Sequence, residues 1–244
     1  MKLDHMTWPE VEAYLTRSAG IILPVGSTEQ HGPMGLIGTD SLCAEAIADS
    51  AAELAGSIVA PALRYTPAAF NMGFPGTISI PESLFEAIFT EVLGSLAHHG
   101  FTKIYVLNAH GANIAPMRRS ADALGESRVR IRSWWDFDAV NLLRQEFYGG
   151  WEGMHATPSE ISITQALYRS VAPGVAAAPP RRLEPDEMKA RAGDNHGSPD
   201  RHKAEFPDGR VGSHSALAKG EHGHALLGAA ARAVCDDYRA FLAG

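Results

Sequence analysis

Between Val25 and the helix that follows it, the chain concentrates a carboxylate, an imidazole and a second carboxylate: Glu29, His31 and Asp40, within Gly26-Ser27-Thr28-Glu29-Gln30-His31-Gly32-Pro33 and Gly38-Thr39-Asp40. Glu29 and His31 stand two apart, so an extended segment projects both to the same side. Imidazole and carboxylate together suit zinc, manganese or ferrous iron. Two later turns carry the same chemistry: His110 in Asn108-Ala109-His110-Gly111-Ala112-Asn113, and His155 followed by Glu160. A carboxylate shared between two ions would create the paired-metal arrangement that activates water for hydrolysis.

Each feature also has a plain reading. Asp40 stands just before a helix and is by itself better read as an N-cap. His110 alone is a polar loop residue. Thr157-Pro158-Ser159-Glu160 is a capping box with Pro at the first helical position, which makes Glu160 structural on its own terms. The glycines around the first cluster do not form a phosphate loop, because no Lys and Ser/Thr pair closes them.

The elements that must position these turns are legible. Thr7-Trp8-Pro9-Glu10 starts a helix that Gly20 ends. Ile21-Ile22-Leu23-Pro24-Val25 is an apolar run with β-branched residues, a buried strand. The first cluster therefore sits at a strand's carboxyl end, where open α/β sheets place ligand sites. A helix over 41–55, a strand over 57–63, an irregular loop over 65–77 and a long helix from Pro81 to Gly100 follow. A strand over 101–107 leads into the His110 turn, and Asn113 caps a helix ending near Gly125. A strand over 129–135 ends in Trp134 and Trp135, aromatics that suit either the core or a pocket wall. A helix near 136–147 and a final helix over 219–243 complete the pattern, a mostly parallel sheet covered on both faces. Residues 171–218, rich in proline, glycine and charge, are too long for an ordinary connection and predict a lid or an oligomer arm.

Composition excludes several classes. With 244 residues the chain suits one domain over 1–244. A formal charge of −7 leaves no basic field for nucleic acid. No run approaches the roughly 18 apolar residues of a membrane span. The first residues lack the organisation of a signal peptide, and the two cysteines, Cys43 and Cys235, sit in helical patterns. Both point to a reducing cytoplasm.

Taken together, Val25-Gly-Ser-Thr-Glu29-Gln30-His31-Gly-Pro33, Gly38-Thr-Asp40, Gly73-Phe-Pro-Gly-Thr77, Asn108-x-His110-Gly-x-Asn113 and His155-x-x-x-x-Glu160 resemble the creatininase (creatinine amidohydrolase) family. Gly212-Ser-x-x-Ala216 through Ala218-Lys-Gly220 extends the match toward the end of the chain. The resemblance implies a three-layer α/β/α fold with a mostly parallel central sheet, a binuclear centre of two divalent ions (zinc, manganese or iron), and a homo-oligomer, often a hexamer. It implies hydrolysis of a C–N bond in a small cyclic or linear amide. By motif, Glu29, His31, Asp40 and His110 look like metal ligands, with Asp40 the bridge. Glu160 looks like a further ligand or a group just behind one, and His155 like the residue that handles protons or orients the carbonyl. Trp151 matches an aromatic of the pocket, and Gly111 and Met154 fall at substrate-contact positions.

Departures from the family pattern bear on the substrate. Gly111 and Ala112 replace a Tyr-Glu pair whose Glu is a metal ligand in true creatininases. Met34, Met154, Pro158 and Asn71 replace His or Glu found in many members. These changes make the pocket less charged and predict an uncharged or weakly polar amide other than creatinine. Two alternatives follow from the same resemblance: a peptidase-type relative that matures a peptide-derived cofactor, and a degenerate, non-catalytic metal-binding oligomer.

Overall fold

In β1 (Gly20–Val25) every residue is buried. Extended backbone alternates its side chains, so Ile21, Leu23 and Val25 enter one apolar layer and Ile22 the other. A strand that is apolar throughout thus requires cover on both faces. The computed structural model, which describes residues 1–122, 125, 127–193 and 195–244, supplies that cover with helices on each side.

Four strands form the sheet: β1, β2 (Ile58–Val59), β3 (Lys103–Asn108) and β4 (Val129–Ser133), all parallel, in the order β2-β1-β3-β4. One face packs α1 (Trp8–Leu15), α3 (Glu82–His98) and α4 (Ile114–Asp122), through Tyr14, Phe85, Phe89 and Met117. The other packs α2 (Thr39–Ala55), α5 (Asp138–Tyr148), α6 (Pro158–Leu167) and α9 (Gly220–Ala243), through Ile47, Val140, Ile163 and Leu226. The three-layer α/β/α architecture is as expected. Among the described residues no helix is long and apolar enough to cross a membrane.

The strand order decides where a site can form. From β1 the chain moves to β2 on one side, then crosses back to β3 on the other. Connections therefore diverge at the carboxyl ends of β1 and β3 and leave a crevice between them. Val25 pairs with Asn108, so the Glu29 and His110 turns leave the sheet side by side.

Several local expectations are corrected. The strand predicted over 57–63 is paired only at Ile58–Val59, with a single bridge from Leu63 to Val25. Pro61 has no N–H to donate and interrupts the ladder. Residues 65–77 contain a 3-10 turn at Ala69–Gly73. The strand predicted to reach 135 stops at Ser133, where a capping box with Asp136 turns the chain into the 3-10 segment Trp134–Asp136. Asn113 does not cap α4: its Oδ1 accepts no hydrogen bond among the described residues, while its Nδ2 donates to the Gly26 carbonyl (2.8 Å) and to Asn108 Oδ1 (3.2 Å). The helix end predicted near Gly125 runs into residues 123, 124 and 126, outside those described.

Residues 171–218 are more ordered than their composition predicts. They include α7 (Pro185–Ala190), α8 (Pro199–Glu205) and 3-10 turns at Gly174–Ala177 and Ser215–Leu217. Arg210, nearly buried, is satisfied by the carbonyls of Ala176 and Ala178 (both 3.0 Å) and by Asp208 (2.8 Å). Lys203 Nζ donates to the Gly73 carbonyl at 2.7 Å, and Arg182 lies 4.0 Å over the Trp151 ring. The segment is fastened to its own domain.

One glycine is required where β1 meets α2. A Cβ on Gly26 would lie 2.3 Å from the Ser41 backbone nitrogen, whereas one on Gly94, exposed in α3, would meet nothing within 4 Å. Gly26→Ala is expected to lower stability in urea unfolding by about 1–3 kcal/mol through overpacking. Gly94→Ala is expected to raise it by about 0.5–1 kcal/mol. Equal effects of the two substitutions would contradict the close approach of β1 to α2.

Candidate metal centre

Asp40 lies inside the first turn of α2, and the N-cap is Gly38. The N-cap reading of Asp40 is thereby corrected. Because β1 and α2 touch at Gly26, the Asp40 carboxylate is carried to the crevice. There Ser27 Oγ donates to Oδ2 (2.7 Å), His31 Nε2 lies 2.8 Å from Oδ1, and His110 Nδ1 lies 3.2 Å from Oδ2. One carboxylate thus offers a different oxygen to each of two imidazoles.

Glu29 completes the first side of the site. Its Oε1 lies 3.1 Å from His110 Nδ1 and 3.7 Å from His155 Nδ1, and its Oε2 accepts from Asn71 Nδ2 at 2.9 Å. Glu160 completes the second, with Oε1 3.8 Å from His31 Nε2. The capping box is also real: Thr157 N donates to Glu160 Oε1 at 2.5 Å. The two readings of Glu160 do not compete, since the first turn of α6 opens directly onto the crevice. His155 sits at a strained point of the chain, because Ala156 beside it has φ +56, a left-handed conformation costing about 1–2 kcal/mol outside glycine.

The outer nitrogens fix the imidazoles. His31 Nδ1 faces the Glu29 carbonyl (3.1 Å) and His110 Nε2 faces the Pro67 carbonyl (2.7 Å). A carbonyl only accepts, so each outer nitrogen carries a hydrogen and each inner nitrogen points at carboxylate oxygen. Lone pair and carboxylate at these distances repel unless a proton or a cation lies between them. Without a metal, protons fill that role. Burial works against a charged His31, but Asp40 and Glu160 outweigh it and hold its pKa at about 10. Burial likewise opposes the charge on Asp40, yet His31 and His110 keep it well below the usual carboxylate range. Burial pushes Glu29 up despite His110, and lifts Glu160 to about 7 despite His31.

Three overlapping donor triads result: Glu29/Asp40/His110, His31/Asp40/Glu160 and Glu29/His31/His155. All these residues are buried, and the donor atoms of each triad lie within 4.8 Å of one another. Three buried carboxylates, each costing on the order of several kcal/mol unless compensated, call for cations. The donor set fits a divalent ion in each of the two triads that share Asp40.

The centre forms the floor of a cleft of about 380 Å³. Gly111 and Met154 are on its wall with Ile114, Trp134 and Trp135, and Met188, Ala192 and Gly193 of the 171–218 segment close one side. Trp151 is not among the residues that line this cleft. Its ring faces Arg182 and His214 instead. Sequence reasoning missed three contributors: Gln30, whose Nε2 donates to Asn71 Oδ1 (2.7 Å) and the Gly209 carbonyl (3.1 Å); Phe70, stacked on His110; and Arg144, on the cleft wall. Gln30 stood between two singled-out residues, and that position was its only signal.

A family profile described as creatininase, creatinine amidohydrolase, matches residues 4–237. A creatinine amidohydrolase of Pseudomonas putida is 28% identical over 185 residues, 68% of this chain and 71% of the relative. A mycofactocin precursor peptide peptidase of Mycolicibacterium smegmatis is 37% identical over 120 residues, 47% of this chain and 48% of the relative. A solved structure titled as a manganese creatininase superposes with a TM-score of 0.80 at 25% identity, covering 100% of this chain and 99% of that one. The chain belongs to the creatininase family and is a hydrolase of that family.

The pKa directions define a test. Glu29 and Glu160 are raised, so their contribution to stability is present below their ordinary value of 4.5 and lost as pH rises, for Glu160 through about 7. The His31 contribution is present below 6.5 and lost as pH rises toward 10. Asp40 has the opposite sign, but acts only below 3.8. Between pH 5 and 9 the metal-free protein is therefore expected to lose melting temperature by several degrees, at about 2–4 °C per kcal/mol. Manganese is expected to flatten that slope, because metal binds the deprotonated ligands. Parallel melting curves with and without metal across this range would remove the assignment.

Proposed function

We propose that this member of the creatininase family is a metal-dependent amidohydrolase that cleaves a C–N bond of a small cyclic or linear amide other than creatinine. The observation that carries the reading is the Asp40 carboxylate presenting one oxygen toward His31 and the other toward His110, at the floor of a cleft. Glu29, Asp40 and His110 would hold one ion and His31, Asp40 and Glu160 a second, as zinc, manganese or iron. The exclusion of creatinine rests on Gly111 and Ala112, which bring no carboxylate beside His110, and on the apolar wall formed by Ile114, Trp134 and Trp135.

Bound there, the ions would supply Lewis acidity toward the amide carbonyl and a water acidified to near-neutral pKa. The chain's own residues do the rest. Gln30 and Asn71 orient the groups around Glu29, and the carbonyls of Glu29 and Pro67 hold the two imidazoles in the ligating tautomer. His155 Nε2 lies 2.7 Å from the Gln30 carbonyl, and its Nδ1 faces the floor of the cleft. When Nε2 carries the hydrogen and donates it to that carbonyl, Nδ1 is left to take a proton from the nucleophile and return it to the departing nitrogen. The apolar walls and the 171–218 segment, here acting as a lid, limit water around the reacting bond.

A peptidase-type activity is the second reading, supported by the 37% identity to a precursor-peptide peptidase over nearly half of this chain. Both enzymatic readings include a cytoplasmic homo-oligomer acting on a small molecule or a short peptide. Two ions per chain support either of them, and one or none supports the non-catalytic alternative.

Asp40→Ala is expected to bring bound metal below one ion per chain and hydrolysis down by about a thousandfold or more, because several kcal/mol of transition-state stabilisation go with the ions. His155→Ala is expected to retain its metal and lose about 10²–10⁴ in kcat. Metal analysis and turnover on a panel of cyclic amides, formamides and short peptides check both. Full metal content in Asp40→Ala would sink the assignment.

A further inference from the structure

On the amidohydrolase reading above, we propose that Arg144 is a specificity-determining residue that binds a carboxylate of the substrate, away from the bond that is cleaved. Arg144 is the one guanidinium or ammonium side chain among the described residues lining the cleft, whose floor holds Glu29, Asp40 and Glu160 beside the imidazoles of His110 and His155. This revises the expectation of an uncharged substrate, since spacing marks Arg144 only as one more polar residue of α5.

The side chain is held rather than loose. Its Nε donates to Glu152 Oε1 at 2.9 Å and its Nη1 to Asn141 Oδ1 at 2.7 Å. Its guanidinium carbon lies 5.7 Å from the centre of the Trp134 ring, itself buried and fixed. Glu152 is fixed in turn by Ser159, which donates to the same Oε1. These anchors leave Nη2 with no acceptor among the described residues, on a side chain that keeps 21% of its surface open. A guanidinium already restrained in one rotamer loses little freedom when it takes a further acceptor.

The arrangement sorts the cleft by chemistry. Glu29, His31, Asp40, His110 and Glu160 would hold ions at the floor that supply Lewis acidity toward the scissile carbonyl, Trp134, Trp135 and Ile114 line an apolar stretch, and Arg144 offers N–H groups to a planar oxyanion. A carboxylate is that oxyanion's simplest form, and an amide carrying one at a distance set by the cleft would touch both ends. Glu152 neutralises part of the Arg144 charge but occupies Nε, not the Nη2 edge. The pair therefore orients the guanidinium without blocking it.

The probes are malonate, succinate and glutarate, each compared with its monomethyl ester, titrated calorimetrically into the manganese-loaded full chain. One carboxylate engages the ions in acid and ester alike, and only the acid has a second for Arg144. At least one acid is expected to bind about tenfold more tightly than its ester, the scale of one charge-assisted hydrogen bond. That ratio is expected to fall to about twofold or less in Arg144→Gln and to be retained in part in Arg144→Lys. Circular dichroism and metal content confirm that each variant is folded and loaded. Equal binding of every acid and ester by the unmodified protein, or a ratio unchanged in a loaded Arg144→Gln, overturns the proposal. Turnover of succinamate and of succinamide separates this failure from that of the amidohydrolase reading. Hydrolysis of both without preference removes only the role of Arg144, whereas no turnover of any amide removes the activity and leaves the titrations to decide the site.

Discussion

Everything near the centre depends on one buried contact, the Asp40 carboxylate held between His31 and His110. Charge of this density is unfavourable away from water unless every atom has a partner of the right kind. The surrounding structure meets that demand one atom at a time. Ser27 donates to Asp40, Asn71 to Glu29, Thr157 to Glu160, and two backbone carbonyls take the outer imidazole hydrogens. Each of these donors and acceptors faces one way, which leaves the inner faces of the ligating atoms turned toward each other and toward whatever cation enters.

Parallel strands make such a constellation possible at low structural cost. With β1 between β2 and β3, the connections after β1 and β3 part company and open a crevice lined by both. No strand has to bend to deliver its residue. The close seat of α2 on Gly26 then brings a helical carboxylate in from one side, and the first turn of α6 brings another. The stretch from Glu29 to Asp40, the His110 turn and the segment from His155 to Glu160, far apart in sequence, converge at one place.

Much of this was legible in the residues. Apolar runs and helical periods placed the sheet and its layers, since burial on two faces leaves an unmistakable composition. The histidine turns were legible only in combination, since each alone has a plain reading and the ligand roles came with the resemblance to the creatininase family. Asp40 was less so: a carboxylate before a helical run is usually a cap, and only the depth of the α2 packing, a tertiary effect, moved the cap to Gly38. Glu160 showed that a local and a long-range role can occupy one side chain. The place of Arg144 on the cleft wall was not legible, because the direction in which α5 presents its side chains depends on packing that no spacing encodes. The order within 171–218 was hidden for a related reason: the segment holds by contacts of Lys203 with Gly73, Arg182 with Trp151 and Arg210 with the carbonyls of Ala176 and Ala178, none of them local.

Gln30 joins these parts in a way that bears on how the chain can be altered. Its amide reaches Asn71 in one loop and the Gly209 carbonyl at the far end of the 171–218 segment, while its own carbonyl faces His155. A Cβ on Gly209 would fall 2.0 Å from the Gln30 side chain. Relatives could trade this segment for one of different length or shape only if the replacement returned an equally bare backbone to the same spot. Grafted chimeras between members should therefore have to reproduce this seam, where one amide meets one glycine.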